Sequence, residues 1–505
     1  MRTKNTIRNL IIAWGGQIIV ILCNFISRKV FVQTLPQDYL GINGLFSNIL
    51  SILSLADLGI GASIGYYLYE PLAKNDHIKI AQIVQFFRKI YILIGTVVLV
   101  FGIATTPFIE WFINGESSIE HLKLIYFLYV VNSAISYFNA YKLTLITADQ
   151  KKYLVDTYTY IVKLVVVIVD IIVLYTTRNY IIFYSVQIVG TILVNLILSL
   201  KANKLYPYIN SKDIGKVSKE FIENVKQNTI AMIYHKIGNV VVNGTDNLII
   251  SKMVNVFSVG LYSNYTLITL NVSSFLNAIY SSVVASIGSY NASESKEKKV
   301  KLFDVVSFFT LWLYSFCAIC FFVLLNPFIT LWLGEEYLLE PAIVFVIVLN
   351  LYLQGIRKAV LTFRDALGIY RQDKYKAVIE AIINLVVSVL LAGKYGMIGV
   401  FIGTTISTVF VCLWVEPYVL YKYGFGMYPW NYYFKVIKFT VEAFFIGIIT
   451  TFISSLLGDG IIEFILKLLI CCVLTNLLLF LCNFKSVEFK LLMDKVIRSF
   501  GRGKL

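Results

Sequence analysis

Charge is scarce in this sequence. Asp, Glu, Lys and Arg make up 14% of its 505 residues, against 58% hydrophobic. A soluble domain of this length needs far more charge to cover its surface, so a water-soluble fold is excluded. Catalytic signatures are missing too. There is no Walker A sequence and no HExxH pair, and the longest non-apolar segment, about Lys201 to Glu220, is lysine-rich without a carboxylate cluster. A membrane polymerase or glycosyltransferase presents an extramembrane catalytic domain or a long catalytic loop, and neither is visible. All seven cysteines (Cys23, Cys317, Cys320, Cys412, Cys471, Cys472 and Cys482) lie in or at the edge of apolar runs. Cys317-x-x-Cys320 has no histidine nearby, so no metal or redox centre is read from it. The first apolar run, from Ile7 past Phe31, is too long for a signal h-region and lacks a clear small-residue cleavage site, so it reads as a first span.

What the sequence does contain is apolar runs from end to end, with a mean hydropathy of +0.76. About fourteen of them reach the ~20 residues that cross the hydrocarbon core. The expected fold is an all-α polytopic membrane protein. The net charge of +15 is concentrated in alternate loops. Lys74, Lys79, Lys151, Lys152, Lys201, Lys204, Lys298 and Lys299 fall on the side of the N-terminus, whereas the opposite side has only Lys123, Arg178, Lys252 and Lys394. By the positive-inside rule both termini are cytoplasmic. No segment is long enough to form the basic soluble module that nucleic-acid binding needs.

The halves repeat. Val259-Gly260-Leu261 echoes Leu40-Gly41-Ile42, with the glycines 219 positions apart. Pro327-Phe328-Ile329 echoes Pro107-Phe108-Ile109 at 220, and Gln372-Asp373-Lys374-Tyr375 echoes Gln150-Lys151-Lys152-Tyr153 at 222. Six spans per repeat is an even number, which gives the halves parallel topology and places the expected cavity between them.

An ionisable group inside a span is costly and is by default a functional candidate. Helical spacing puts Gln17, Asn24 and Arg28 on one face of the first span, and Asn350, Gln354, Arg357 and Arg364 on one face of the tenth. Asp156, Lys163 and Asp170 recur at strict sevens. Asp57 lies on a stripe of small residues, and Asn239 and Asp246 share a face of the seventh span. Arg28, Arg357, Arg364 and Lys163 are the candidate cationic binding residues, with Gln17, Asn24, Asn239 and Gln354 as polar lining. Asp57, Asp246 and Asp170 are candidates for ion coupling or charge balance. Stripes of Ser and Gly also serve helix packing, and Arg364 and Asp156 lie near helix ends where long side chains snorkel.

The runs Tyr39-Leu40-Gly41-Ile42-Asn43-Gly44-Leu45-Phe46-Ser47-Asn48, Leu55-Ala56-Asp57-Leu58-Gly59, Thr245-Asp246-Asn247-Leu248-Ile249 and Gly399-Val400-Phe401-Ile402-Gly403 resemble the Wzx-type flippases. These form the polysaccharide transport family of the multidrug/oligosaccharidyl-lipid/polysaccharide exporter superfamily. The resemblance spans essentially the whole chain. It implies two six-helix lobes, 1–213 and 214–428, around a generally cationic cavity, with two further helices and a basic tail at 429–505. It also implies a multi-pass protein of the bacterial cell membrane that moves undecaprenyl-pyrophosphate-linked oligosaccharide to the outer leaflet, without a cofactor, for capsule or exopolysaccharide synthesis. Partners would be membrane lipid and the polymerase and glycosyltransferases of the same pathway, and the drive a proton gradient, a sodium gradient or the substrate gradient itself. A lipid II or teichoic-type precursor flippase, a cation-coupled multidrug exporter and a membrane polymerase are the competing readings.

Overall fold

The computed structural model describes residues 2–54, 60–114, 119–211, 215, 217–226, 244–293, 295–369, 372 and 375–501. Among them there is no strand, and ten helical segments are long and apolar enough to cross a membrane. The chain is an all-α, multi-pass membrane protein. In hydrocarbon each backbone amide must bond within its own segment, which is what an α-helix provides. Helices cover Asp38–Leu53 and Ile60–Lys74 on either side of 55–59, which lie outside the described residues, as do 227–243. The chain divides into two compact units, Met1–Gly260 and Leu261–Leu505.

The first unit contains α1 (Arg2–Thr34), α2 (Asp38–Leu53), α3 (Ile60–Lys74), α4 (His77–Thr105), α5 (Leu122–Phe138), α6 (Ala140–Ala148), α7 (Lys152–Thr177), α8 (Tyr180–Leu205), α9 (Asp246–Met253) and the start of α10 (Val256–Ser293). Local chemistry sets the boundaries. Asp76 caps α4 by accepting the Lys79 N–H at 2.9 Å, and Asn179 caps α8 by accepting from Ile181 and Ile182. Pro107 lacks the N–H to continue α4, which tightens into a 3₁₀ turn over Thr106–Phe112. The main helix pairings are α1 with α7, α4 with α5, and α7 with α8.

The first unit extends beyond Asp213 because α9 and the first turn of α10 pack on elements of the first repeat. The Asn114 N–H donates to Ser251 O (3.1 Å), its side-chain amide donates to Val254 O (2.9 Å), and the Ser251 hydroxyl donates to Phe112 O (2.8 Å). Alongside, α2 and α10 meet at the two glycines that the sequence repeat aligns. A Cβ on Gly41 would lie 2.0 Å from Val256 O, and one on Gly260 would lie 3.1 Å from Gln37 O. Gln37 precedes Gly41 by the interval that separates Val256 from Gly260, so the contact is reciprocal. Gly41→Ala is expected to cost about 1–3 kcal/mol, because the obstacle is backbone that cannot rotate away. Gly260→Ala, with more room, is expected to cost less. Thermal unfolding of the two purified variants gives the order, and an equal or reversed effect would refute this account of the contact.

The second unit contains most of α10, then α11 (Lys296–Trp332), α12 (Pro341–Ile356), α13 (Lys358–Leu367), α14 (Lys376–Tyr395), α15 (Met397–Ser407), α16 (Leu413–Val419), α17 (Trp430–Ser455), α18 (Ile461–Asn483) and α19 (Val487–Gly501). Helix α11 is the hub, packing on α12, α17 and α18. Helices α14 and α15 form a tight hairpin across Gly399 and Gly403. A Cβ there would fall 2.3 Å from Leu391 O and 2.1 Å from the Ser388 hydroxyl, respectively. This is the small-xxx-small device by which membrane helices bring backbones together. The span Met397–Phe425 is not uniformly α-helical: π-helical segments at Thr408–Cys412 and Leu420–Phe425 flank α16. Each widened turn rotates the following residues about the axis, a feature frequent at functional sites.

Candidate functional site

Helix α1 delivers Arg28 into an aromatic cluster built by α5 and α8. The phenols of Tyr129 and Tyr180 are its electrostatic neighbours. Their hydroxyls share a hydrogen bond at 2.7 Å, Tyr184 stacks on Tyr129 at 3.9 Å, and Tyr39 stacks on Tyr180 at 4.7 Å. Asn132 donates to the Tyr184 hydroxyl at 3.3 Å. Tyr129, Tyr180 and Tyr184 are buried and Arg28 is half-buried. A guanidinium held among fixed phenols is a pre-oriented planar donor, suited to bidentate binding of phosphate oxygens.

The other first-unit candidates spread along α1 and α7. Gln17 is exposed and Asn24 half-buried. Lys163 is half-buried, with Cys23 of α1 as its electrostatic neighbour. Asp156 and Asp170 are buried, so the positions at sevens share an inward face of α7. Lys152 pairs with Asp156 at 2.5 Å. Asp170 accepts from the Gln187 amide of α8, and its other oxygen, buried, has no hydrogen-bond partner among the described residues. Asp246 opens α9 half-buried, with one carboxyl oxygen likewise unbonded among the described residues. Asp57 and Asn239 lie outside the described residues.

In the second unit, Arg357 sits at the break between α12 and α13 and is committed to an internal ion cluster. Its Nε donates to Glu416 Oε2 at 2.9 Å and its Nη2 to Glu416 Oε1 at 2.6 Å, a bidentate fork. Lys376 reaches Glu416 at 2.6 Å and Glu380 at 3.1 Å, and Arg357 lies 3.6 Å from Glu380. Glu416 is fully enclosed, and the side chains of the other three are 9–12% exposed. Two cations and two carboxylates from α12–α13, α14 and α16 therefore neutralise one another. The residues of the expected polar stripe on α12 and α13 differ in their surroundings. Asn350 is buried, donating to Phe401 O at 2.9 Å and accepting from Thr405 at 2.8 Å, whereas Gln354 is exposed. Arg364 turns to the adjacent Asp365 at 3.0 Å.

Glu416 and Lys376 were not among the residues singled out from the sequence. The signal for Glu416 was present, since it is a lone carboxylate, followed by Pro417, inside an apolar run. Lys376 reads as a loop charge until the helix start places it opposite Glu416.

No protein-family model and no curated protein sequence matches the chain. Solved structures do. The lipid II flippase MurJ in an inward closed conformation superposes with a TM-score of 0.65 at 15% identity, covering 94% of this chain and 98% of that one. An inward-facing multidrug resistance MATE family transporter of the MOP superfamily gives 0.63 at 12%, covering 81% and 98%. The Vibrio cholerae MATE transporter VcmN gives 0.58 at 13%, covering 81% and 94%. The chain thus has the fold of membrane flippases and multidrug transporters.

Proposed function

We propose that this protein is a flippase that moves an undecaprenyl-diphosphate-linked oligosaccharide from the inner to the outer leaflet. Arg28 in its tyrosine cluster is the observation that carries the reading. A diphosphate headgroup meets a barrier of order tens of kcal/mol in bare hydrocarbon, and a fixed guanidinium among hydrogen-bonding phenols lowers it. Organic-cation export calls for an acidic site, and an arginine at the centre of the tyrosine cluster repels such a substrate, which disfavours the multidrug alternative. The MurJ match extends over more of this chain than the MATE matches, 94% against 81%, which also supports a lipid-linked substrate. In this reading Arg28 takes the headgroup, while Lys163, Gln17 and Asn24 line its path. Arg357 holds the second unit together rather than meeting substrate. Asp170 and Asp246 are the described carboxylates offered for coupling to a proton or sodium gradient. Movement is the rocking of one repeat against the other, with both termini cytoplasmic.

The test is reconstitution. Proteoliposomes should translocate a labelled undecaprenyl-diphosphate oligosaccharide and leave an organic-cation dye untouched. Dye transport without movement of the diphosphate would overturn the proposal in favour of an exporter.

A further inference from the structure

Helix α19 follows the last span after only Phe484, Lys485 and Ser486, so its start lies at the boundary where α18 leaves hydrocarbon. Ser486 caps it, accepting the Phe489 N–H at 3.3 Å. Its first turn is fastened to the second unit on two sides. Phe489 stacks on Trp312 at 6.0 Å and packs edge-on against Phe480 at 5.5 Å. Glu488 pairs with Lys435 at 2.7 Å, and Lys435 also pairs with Asp304 at 2.8 Å. Burial works against the charge of Glu488, but the hydrogen bond from Lys435, a backbone hydrogen bond at the helix start and the charges of Lys435 and Lys438 together outweigh it and hold the carboxyl below the usual range.

What remains outward is of mixed character. Val487 and Met493 are exposed apolar side chains, and Lys485 and Lys490 are exposed cations beside them. The sequence from Lys485 onward adds Lys495, Arg498, Arg502 and Lys504 against two carboxylates, Glu488 and Asp494. Six cations against two carboxylates leave the segment a clear positive excess. A short amphipathic helix with this composition, held at the end of a span, belongs in the interface plane.

We infer that α19 is an interfacial helix that binds anionic lipid headgroups of the leaflet at which α18 ends, through Lys485 and Lys490, and so braces the adjoining ends of α11 and α17. Charge complementarity selects anionic over zwitterionic lipid. This inference does not depend on the transported substrate and stands or falls apart from the flippase reading.

Hydrogen exchange on the full-length protein in nanodiscs tests it. Backbone amides of 487–494 should exchange more slowly in phosphatidylcholine containing phosphatidylglycerol than in phosphatidylcholine alone, by about fivefold for each lysine engaged. The Lys485→Glu, Lys490→Glu double variant should lose the difference while keeping its exchange pattern in α11 and α17 in phosphatidylcholine. Inorganic phosphate added to phosphatidylcholine discs should not reproduce the protection. Equal exchange in the two lipids, a lipid effect that survives the charge reversal, or protection by phosphate alone would each overturn the inference.

Discussion

Glu416→Gln is expected to cost the second unit about 3–5 kcal/mol, the penalty for leaving buried charge uncompensated. Glu416 faces two cations, Arg357 and Lys376, each at 2.6 Å, and is fully enclosed. Once it is neutral, only Glu380 remains against both, and Arg357 lies 3.6 Å from it. The loss should appear as a lowered melting temperature in detergent and reduced abundance in the membrane. The pair Arg357→Met with Glu416→Leu should recover much of it, because Lys376 and Glu380 remain matched and apolar side chains avoid the desolvation penalty. A Glu416→Gln protein that melts with the wild type would mean that the cluster is not holding α12, α14 and α16 together.

The second large effect is on transport. Arg28→Ala is expected to slow translocation of the diphosphate-linked substrate by about ten- to a hundredfold or more, the equivalent of the ~1.5–3 kcal/mol carried by a hydrogen bond to a charged group. Arg28→Lys should restore part of the rate, since an ammonium supplies charge without the planar fork. Unfolding temperature serves as the control, because the buried tyrosine contacts do not require the guanidinium. Wild-type translocation by a stable Arg28→Ala protein would remove this residue from the site and leave the proposal without its main support.

The polytopic helical architecture was legible from hydropathy alone, because spanning length and backbone satisfaction are severe constraints. The seven-residue spacing on α7 was also informative: Asp156 and Asp170 are buried on one face. On α12 and α13 spacing said less, because residues on one stripe have different surroundings: Asn350 is buried against Phe401 and Thr405, Gln354 is exposed, and Arg357 is taken up by Glu416. The partner of Arg357 was missed for a different reason. Glu416 is 59 residues away and reaches it from a span interrupted by π-helical segments, whose register no periodic template follows. The tyrosine cluster around Arg28 was missed because Tyr129, Tyr180 and Tyr184 read locally as ordinary span residues and converge only when α5 and α8 pack.

The reciprocal glycine contact bears on ancestry. Gln37 meets Gly260 as Val256 meets Gly41, so the contact is matched from both sides within one chain. A half-length ancestor pairing with its own copy would meet itself at a single glycine, and every mutation there would strike both sides at once. In a chain that holds both positions each can vary separately, and their surroundings differ: an added Cβ would meet its nearest neighbour at 2.0 Å on one side and at 3.1 Å on the other. One side of the contact can therefore be loosened by mutation while the other stays tight, a freedom that no symmetric dimer has.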